Sequence, residues 1–544
     1  MFTRRWVVDL ILDLVGYRAD RDLAQYRATD PACGSGAFLT SMVARLCESI
    51  TTYGHSRDAV ADAISAVDVQ PRNVALARRT VASALVEHGW GTSEAEVRAA
   101  TWVRSGDYLL DDTGPADFVV GNPPYVRLED VPDQRMDAYR NACETMNGRA
   151  DVYVGFFERG LSSLKPEGVL GFICADRWMR NQYGKQLRQV ISDNYAVDVT
   201  IEMHDADAFE AQVSAYPAIT IIRRGEQAST VVATTNGKFG PKAAASLTSF
   251  ATSPDGDAVV DLRSAESTYD AARLSTWFTG SGSWPTGTPV ALRMVEELNE
   301  RFGPLENLAT ATRVSIGVAT GADKVFITRD SEVAEPERML PLSVVADTKS
   351  GTLNWSGNHL VNPWDADRAL VNLEDWPGLA AYYEQHSDAL LKRHVAGKRP
   401  QQWYRTIDPV NPTLAARDKL LFPDMKMTSS PVYDPGGTYP HHNLYYVISD
   451  GWDLRVLGGL LFSRICDQTV AAYCVKMRGG TLRFQAQYLR RIRVPDPATI
   501  SSADAQALAA AFDARDVDAA TEAALPVYNL DTKTEAWIRS LSSH

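Results

Sequence analysis

Cysteine is scarce in this chain. Six occur in 544 residues: Cys33, Cys47, Cys143, Cys174, Cys466 and Cys474. They are scattered and form no CxxC pair, which points away from a disulfide framework and from a resident metal. The usage suits a reducing cytoplasm. No run of eighteen apolar residues occurs, so no membrane partner is expected. A signal peptide is missing too: Asp9 and Asp13 interrupt the first apolar stretch, and no small-residue cleavage site follows. Positive charge is short overall. The formal net charge of −13 argues against a general nucleic-acid binder unless the basic residues share one face. No PD…(D/E)xK nuclease centre is present. The PDMK string at Pro423 to Lys426 lacks the spacing and a partner acid. The chain opens at once on an apolar helical stretch, so no N-terminal nuclease domain is expected.

What is there is globular. A length of 544 residues, with 45% hydrophobic and 23% charged, supports two or three domains with real cores. Trp6, Val7, Leu10, Ile11, Leu14 and Val15 recur at helical spacing over 3–16, with Thr3 placed to cap the start. Helices are expected over 36–53, 71–88, where Pro71 opens the first turn, and 150–165. Strand-like runs lie at 63–69, 116–120, 168–175 and 218–222. This alternation predicts an α/β fold with a parallel, doubly wound sheet and a ligand at the carboxyl ends of its strands. We assign 1–235 to that domain. Residues 236–290, rich in Gly, Ser, Thr and Ala, read as a connecting region. Residues 291–497 read as a second, mixed α/β domain, and 498–544 as a helical tail.

Two strings carry the chemistry. DPACGSGAFL, from Asp30 to Leu39, precedes a helix. Gly34 and Gly36 permit a tight turn, and the helix start presents free N–H groups. A dinucleotide fingerprint needs a third glycine where Leu39 stands, and a Walker loop needs a lysine that is absent. The remaining cofactor of this shape is S-adenosylmethionine, which has no phosphate to bind. Asp68, ending the next strand-like run, can accept from both ribose hydroxyls. Asp107, in SGDYLLDD near the end of a further expected strand before 116–120, can accept from an adenine amine, with Tyr108 beside the ring.

The second string, VVGNPPYV, holds Asn122, Pro123, Pro124 and Tyr125. Two prolines stiffen the turn and donate no N–H. The Asn122 amide oxygen and nearby carbonyls can accept both hydrogens of an aromatic exocyclic amine, and Tyr125 can stack on the ring. An amine inside a duplex reaches such a clamp only on an extruded base.

The order of these motifs resembles the gamma class of adenine-specific DNA methyltransferases, of the TaqI restriction–modification type. The likeness spans roughly residues 2–497 and is strongest at 30–39 and 119–126. It implies a Rossmann-like S-adenosylmethionine-dependent domain followed by a target-recognition domain. Phe2-Thr3 matches the opening motif, which implies that Thr3 touches the cofactor, although Arg4 stands where a proline is usual. It also implies cofactor contacts from Asp30, Ala32, Cys33, Gly34, Gly36, Asp68, Asp107 and Tyr108. Phe209 is implied to stack on the flipped base, opposite Tyr125.

In the second domain, basic residues group at Lys392, Arg393, Lys398 and Arg399, at Lys419, and at Lys476, Arg478 and Arg483. They are expected to contact phosphates, which position a protein without reading sequence. Expected partners are double-stranded DNA and a restriction endonuclease or other phage-defence subunits. The clamp alone leaves cytosine open beside adenine, and RNA or a protein glutamine as other amine carriers. A catalytically silent DNA-binding subunit of a defence complex is the alternative of a different class.

Overall fold

The computed structural model describes residues 3–210, 216–253, 268–474 and 481–541. The chain divides into two compact units, Met1–Glu296 and Glu297–His544.

The first unit is built on nine strands. They are β1 (Ala28–Asp30), β2 (Ile64–Asp68), β3 (Val103–Ser105), β4 (Ala116–Gly121), β5 (Leu164–Ala175), β6 (Tyr195–Glu202), β7 (Pro217–Arg224), β8 (Thr230–Thr235) and β9 (Tyr269–Leu274). Their order across the sheet is 3-2-1-4-5-7-6-8-9. The first five run parallel. β7 is antiparallel to both neighbours, and β9 to β8. The expected all-parallel sheet is therefore mixed on one side. β2 is buried throughout, as a strand covered on both faces must be.

Helix α1 (Arg5–Leu14), α2 (Ala37–Tyr53) and α3 (Pro71–Glu87) contribute Ile11, Met42 and Val81 to one apolar layer. The Val152–Ser162 and Lys185–Asn194 helices contribute Phe157 and Leu187 to the other. Thr3 does not cap α1. Arg4 is the N-cap and its side chain makes no capping bond. Pro71 sits in the first turn of α3, as its fixed φ favours.

The segment read as a connector belongs to this unit in its described parts. β9 extends the sheet by pairing with β8, and the Pro241–Thr252 helix buries Leu247 in the same layer as α1. Their small residues concealed them, because Ala and Thr strands show little alternation in hydropathy. The second unit holds two four-stranded sheets. One joins Arg313–Ile316, Leu444–Ile448, Lys419–Pro423 and Val432–Asp434, all antiparallel. The final segment is three packed helices. In the Leu454–Leu461 helix, Gly458 and Gly459 leave room for the Phe512 ring and the Leu508 backbone.

Gly171 of β5 lies directly under α1. A Cβ there would stand 2.5 Å from Val15 Cγ1 and 2.9 Å from Ile11 Cγ2. Gly171→Val should therefore destabilise the protein by about 1–3 kcal/mol through overpacking. An unchanged denaturant midpoint would contradict this packing.

Candidate active site

Four adjacent parallel strands, in the order β3, β2, β1, β4, deliver the site from their carboxyl ends. The segments beyond them line one cavity of about 500 Å³. Ala32, Gly34, Asp68, Asp107, Tyr108, Asn122, Pro123, Pro124 and Tyr125 all face it. Residues from Ala32 to Tyr125 thus converge because each follows a strand of the same sheet.

The glycine turn is shaped by close packing. Gly36 has φ of 98°, and a Cβ there would press on Thr80 at 3.2 Å. Gly34 has open space where its Cβ would be. Asp68 ties the turn down: one carboxylate oxygen accepts from Gly34 N at 3.0 Å. The other accepts from Gln70 N at 2.8 Å and Asn73 Nδ2 at 3.1 Å. On the next strand, Asp107 accepts from the Tyr139 hydroxyl at 2.8 Å and from Leu109 N at 3.2 Å. Burial and then Asp107 raise the Tyr139 phenol, so it stays a donor. Tyr108 stacks on Phe156, ring centroids 5.5 Å apart.

The cavity suits S-adenosylmethionine. Asp68, Asp107 and Asp130 face it against one cation, Arg135. That charge balance favours a cationic ligand over a phosphate. Gly34, open on its ligand side, and the paired acids at successive strand ends provide the cradle.

At β4, Asn122 Nδ2 donates to Thr3 Oγ1 at 3.2 Å. Its amide oxygen is buried with no hydrogen-bond partner. A buried acceptor left unpaired costs free energy of about 1–3 kcal/mol and calls for a reason. Tyr125 anchors its hydroxyl toward Ile173 O at 3.4 Å, and burial holds its phenol well above the ordinary value.

Five expected residues stand outside the cavity lining. Asp30 ends β1, buried, and accepts from Ala32 N at 3.2 Å. Cys33 is buried behind the turn, its N–H bonded to Val67 O. Gly36 faces α3. Thr3 orients Asn122. Phe209 is 6% exposed and packs in the apolar layer with α1. It pairs with Thr3 by an isolated backbone bridge, which keeps it one residue from the clamp rather than in it. Sequence reading missed Gln70, Asn73, Tyr139 and Phe156. No motif marks them, and only the fold brings them to the cavity.

The basic clusters in the second unit divide. Lys392, Lys398 and Arg399 are exposed. Arg393 is not a free cation: its guanidinium donates to Leu390 O, Thr320 O and Trp403 O. Lys419 is fully buried and pairs with Asp434 at 2.9 Å. Arg483 pairs with Asp424 at 2.8 Å. Local acids and carbonyls have absorbed these charges, a fate a run of basic letters does not reveal. Lys476 and Arg478 lie outside the described residues. Among the described residues, no helix is long and apolar enough to cross a membrane.

Residues 62–209 match the family described as Eco57I restriction-modification methylase. The chain is 41% identical to Type II methyltransferase M.PaeR7I of Pseudomonas aeruginosa, over 97% of this chain and 91% of the relative. It is 39% identical to Type II methyltransferase M.BstVI of Geobacillus stearothermophilus, over 92% and 91%. Among solved structures, it is similar at a TM-score of 0.49 to the type IIL restriction-modification enzyme MmeI in complex with DNA. That match has 12% identity and covers 99% of this chain and 76% of the other.

Two outcomes test the electrostatics. Burial pushes the Asp30 carboxyl up to about 7. Its folded value lies above the unfolded one, so the folded state retains the proton longer. Stability should fall as pH rises from the ordinary carboxyl range to about 7, by up to about 1.4 kcal/mol per unit. Asp30→Asn should flatten that part of the profile. Parallel profiles for the two proteins would exclude this cause. Lys419→Ala should cost about 3–5 kcal/mol by stranding Asp434, whereas Lys398→Ala should shift the denaturant midpoint little. Equal small effects would return Lys419 to the surface.

Proposed function

Because the chain belongs to the Type II restriction–modification methyltransferases, DNA methyltransferases that use S-adenosylmethionine, we propose that it methylates the exocyclic amine of adenine in duplex DNA. The observation that carries this reading is the buried, unpaired amide oxygen of Asn122 beside the cavity. An aromatic amine supplies the hydrogen it lacks. The motif order, of the gamma class and TaqI-like, supports adenine over cytosine.

When bound, the cofactor supplies an electrophilic methyl group. Asp68 and Asp107 would hold its ribose and adenine, beside the apolar wall of Tyr108 and Phe156. Asn122 Oδ1 accepts one hydrogen of the target amine and the Pro123 carbonyl the other. That shifts electron density toward nitrogen and orients its lone pair. Thr3 holds the Asn122 amide in the orientation that turns its oxygen to the substrate, so Thr3 is a positioning residue. Tyr125 stacks on the base and remains protonated, so it is not the proton acceptor. The amine sits in the stack of a duplex, and the cavity accepts a base only after it is extruded.

The second unit is the target-recognition domain in this reading, with Lys392, Lys398 and Arg399 as phosphate contacts and Arg483 as a contact only if it leaves Asp424. Phe209 would reach a flipped base only by moving out of its apolar layer. A restriction endonuclease with the same target sequence is the natural counterpart, in a phage-defence setting.

Labelled cofactor and unmodified duplex DNA test this directly. The label should appear as N6-methyladenine. Label on cytosine, on RNA or on protein would overturn the adenine reading, and no label with cofactor bound would favour a silent DNA-binding subunit. Asn122→Ala should lower transfer by roughly 10²–10³-fold while sparing cofactor affinity. Thr3→Val should lower kcat about tenfold or more with KM for DNA nearly unchanged. Full transfer by the Asn122 variant would sink the clamp.

A further inference from the structure

In the second unit, three side chains converge that the methyl-transfer reading leaves unused. His441 Nε2 and His442 Nδ1 face each other at 2.9 Å. His441 Nε2 is also 3.3 Å from Asp323 Oδ2. The three donor atoms lie within 4.8 Å of one another. We propose that Asp323, His441 and His442 form a binding site for a divalent transition metal such as Zn²⁺.

Geometry is the first argument. At metal–donor distances of about 2.0–2.1 Å, the edges of a tetrahedron are about 3.3 Å long. Two separations already match or approach that edge. The third, no more than 4.8 Å, shortens by rotation of Asp323, whose side chain is half exposed. Two imidazole lone pairs at this distance repel unless a proton or a cation lies between them. A metal satisfies both nitrogens and the carboxylate at once, whereas one shared proton satisfies them only in part.

The second argument is that the frame is prebuilt. Val318 N donates to Pro440 O at 2.9 Å, and His442 N donates to Val318 O at 3.0 Å. Gly317 allows this approach, since a Cβ there would lie 2.2 Å from Pro440 O. Thr320, fully buried, hydrogen-bonds through its hydroxyl to the other oxygen of Asp323. That is the outer hydrogen bond that orients a metal-bound carboxylate. Backbone positions of all three ligands are therefore set before any ion arrives.

The donor chemistry selects the ion. Two imidazoles and one carboxylate suit Zn²⁺, Co²⁺ or Ni²⁺, whereas Mg²⁺ and Ca²⁺ require a cage of oxygens. The scarcity of paired cysteines did not bear on this site, which needs none. Three protein ligands leave a fourth position, on the exposed side of Asp323, for water. The ion would staple the 318–323 loop to the 439–442 segment. That loop also receives Arg393 at Thr320 O, 3.0 Å away, so the staple braces the segment that carries Lys392 and Lys398. The site does not depend on the methyl-transfer reading.

Titration of the full-length apo protein with Co²⁺ tests the proposal. The wild type should bind one equivalent saturably and develop the intense visible bands of a tetrahedral N/O site. Zn²⁺ should displace Co²⁺ and raise Tm. His442→Ala should weaken binding more than about 100-fold, and Asp323→Ala, at a half-exposed side chain, should weaken it at least about tenfold, with the circular dichroism and Tm of each apo variant reporting its fold. His55→Ala, a histidine change in the first unit, should leave it unchanged. Absence of one-equivalent binding in the wild type would overturn the site. So would equal affinity in the Asp323→Ala protein, or a loss in His55→Ala as large as in His442→Ala.

Discussion

The Asp68 carboxylate is the contact on which the cavity's shape depends. It reaches back from the end of β2 to the N–H of Gly34, and forward to Gln70 N and Asn73 Nδ2. A single charged group thereby locks the turn after β1 to the start of α3. The turn in turn fixes the wall on which a ligand rests. Such bonds to a carboxylate are charge-assisted and stronger than neutral ones. A carboxylate with three donors still keeps lone-pair capacity for a ligand hydroxyl. Structural tie and ligand contact are therefore compatible in one residue.

The same economy appears at β4. Thr3 comes from the beginning of the chain and Asn122 from the end of a central strand, yet they share a hydrogen bond. It spends the amide hydrogen on the protein and leaves the amide oxygen unpaired in a buried position. Polar groups are normally satisfied on folding, so an orphaned acceptor is destabilising in the free protein. In the proposed reaction, the target amine would recover that cost. Fold stability is thus set against function at one atom, and the neighbouring prolines prevent a backbone N–H from relieving it.

In the second unit, electrostatics serve structure first. Arg393, Lys419 and Arg483 spend their charge on carbonyls, Asp434 and Asp424. Carboxylates and carbonyls of the same unit hold all three of these cations. The exposed Lys392, Lys398 and Arg399 are the exceptions among the described residues singled out as basic.

Sequence by itself determined the helices α1 to α3, the strand runs of β2, β4 and β5, the glycine turn and the stiff NPPY turn. Those features are local: hydropathic period, turn residues and short strings need no distant partner to be read. Tertiary structure decided the rest. The antiparallel insertion of β7 and the strands beyond residue 225 depend on which edges are available for pairing, which local pattern does not encode. Thr3 has the chemistry of a helix cap, but Arg4 takes that position and the Thr3 hydroxyl accepts from Asn122. Phe209 went into an apolar layer, and Lys419 into a buried ion pair. Asp323 met His441 and His442 across more than a hundred residues. In each case the residue type was visible in the sequence. Its role depended on what stood within 3 Å or so, a distance that only the folded chain defines.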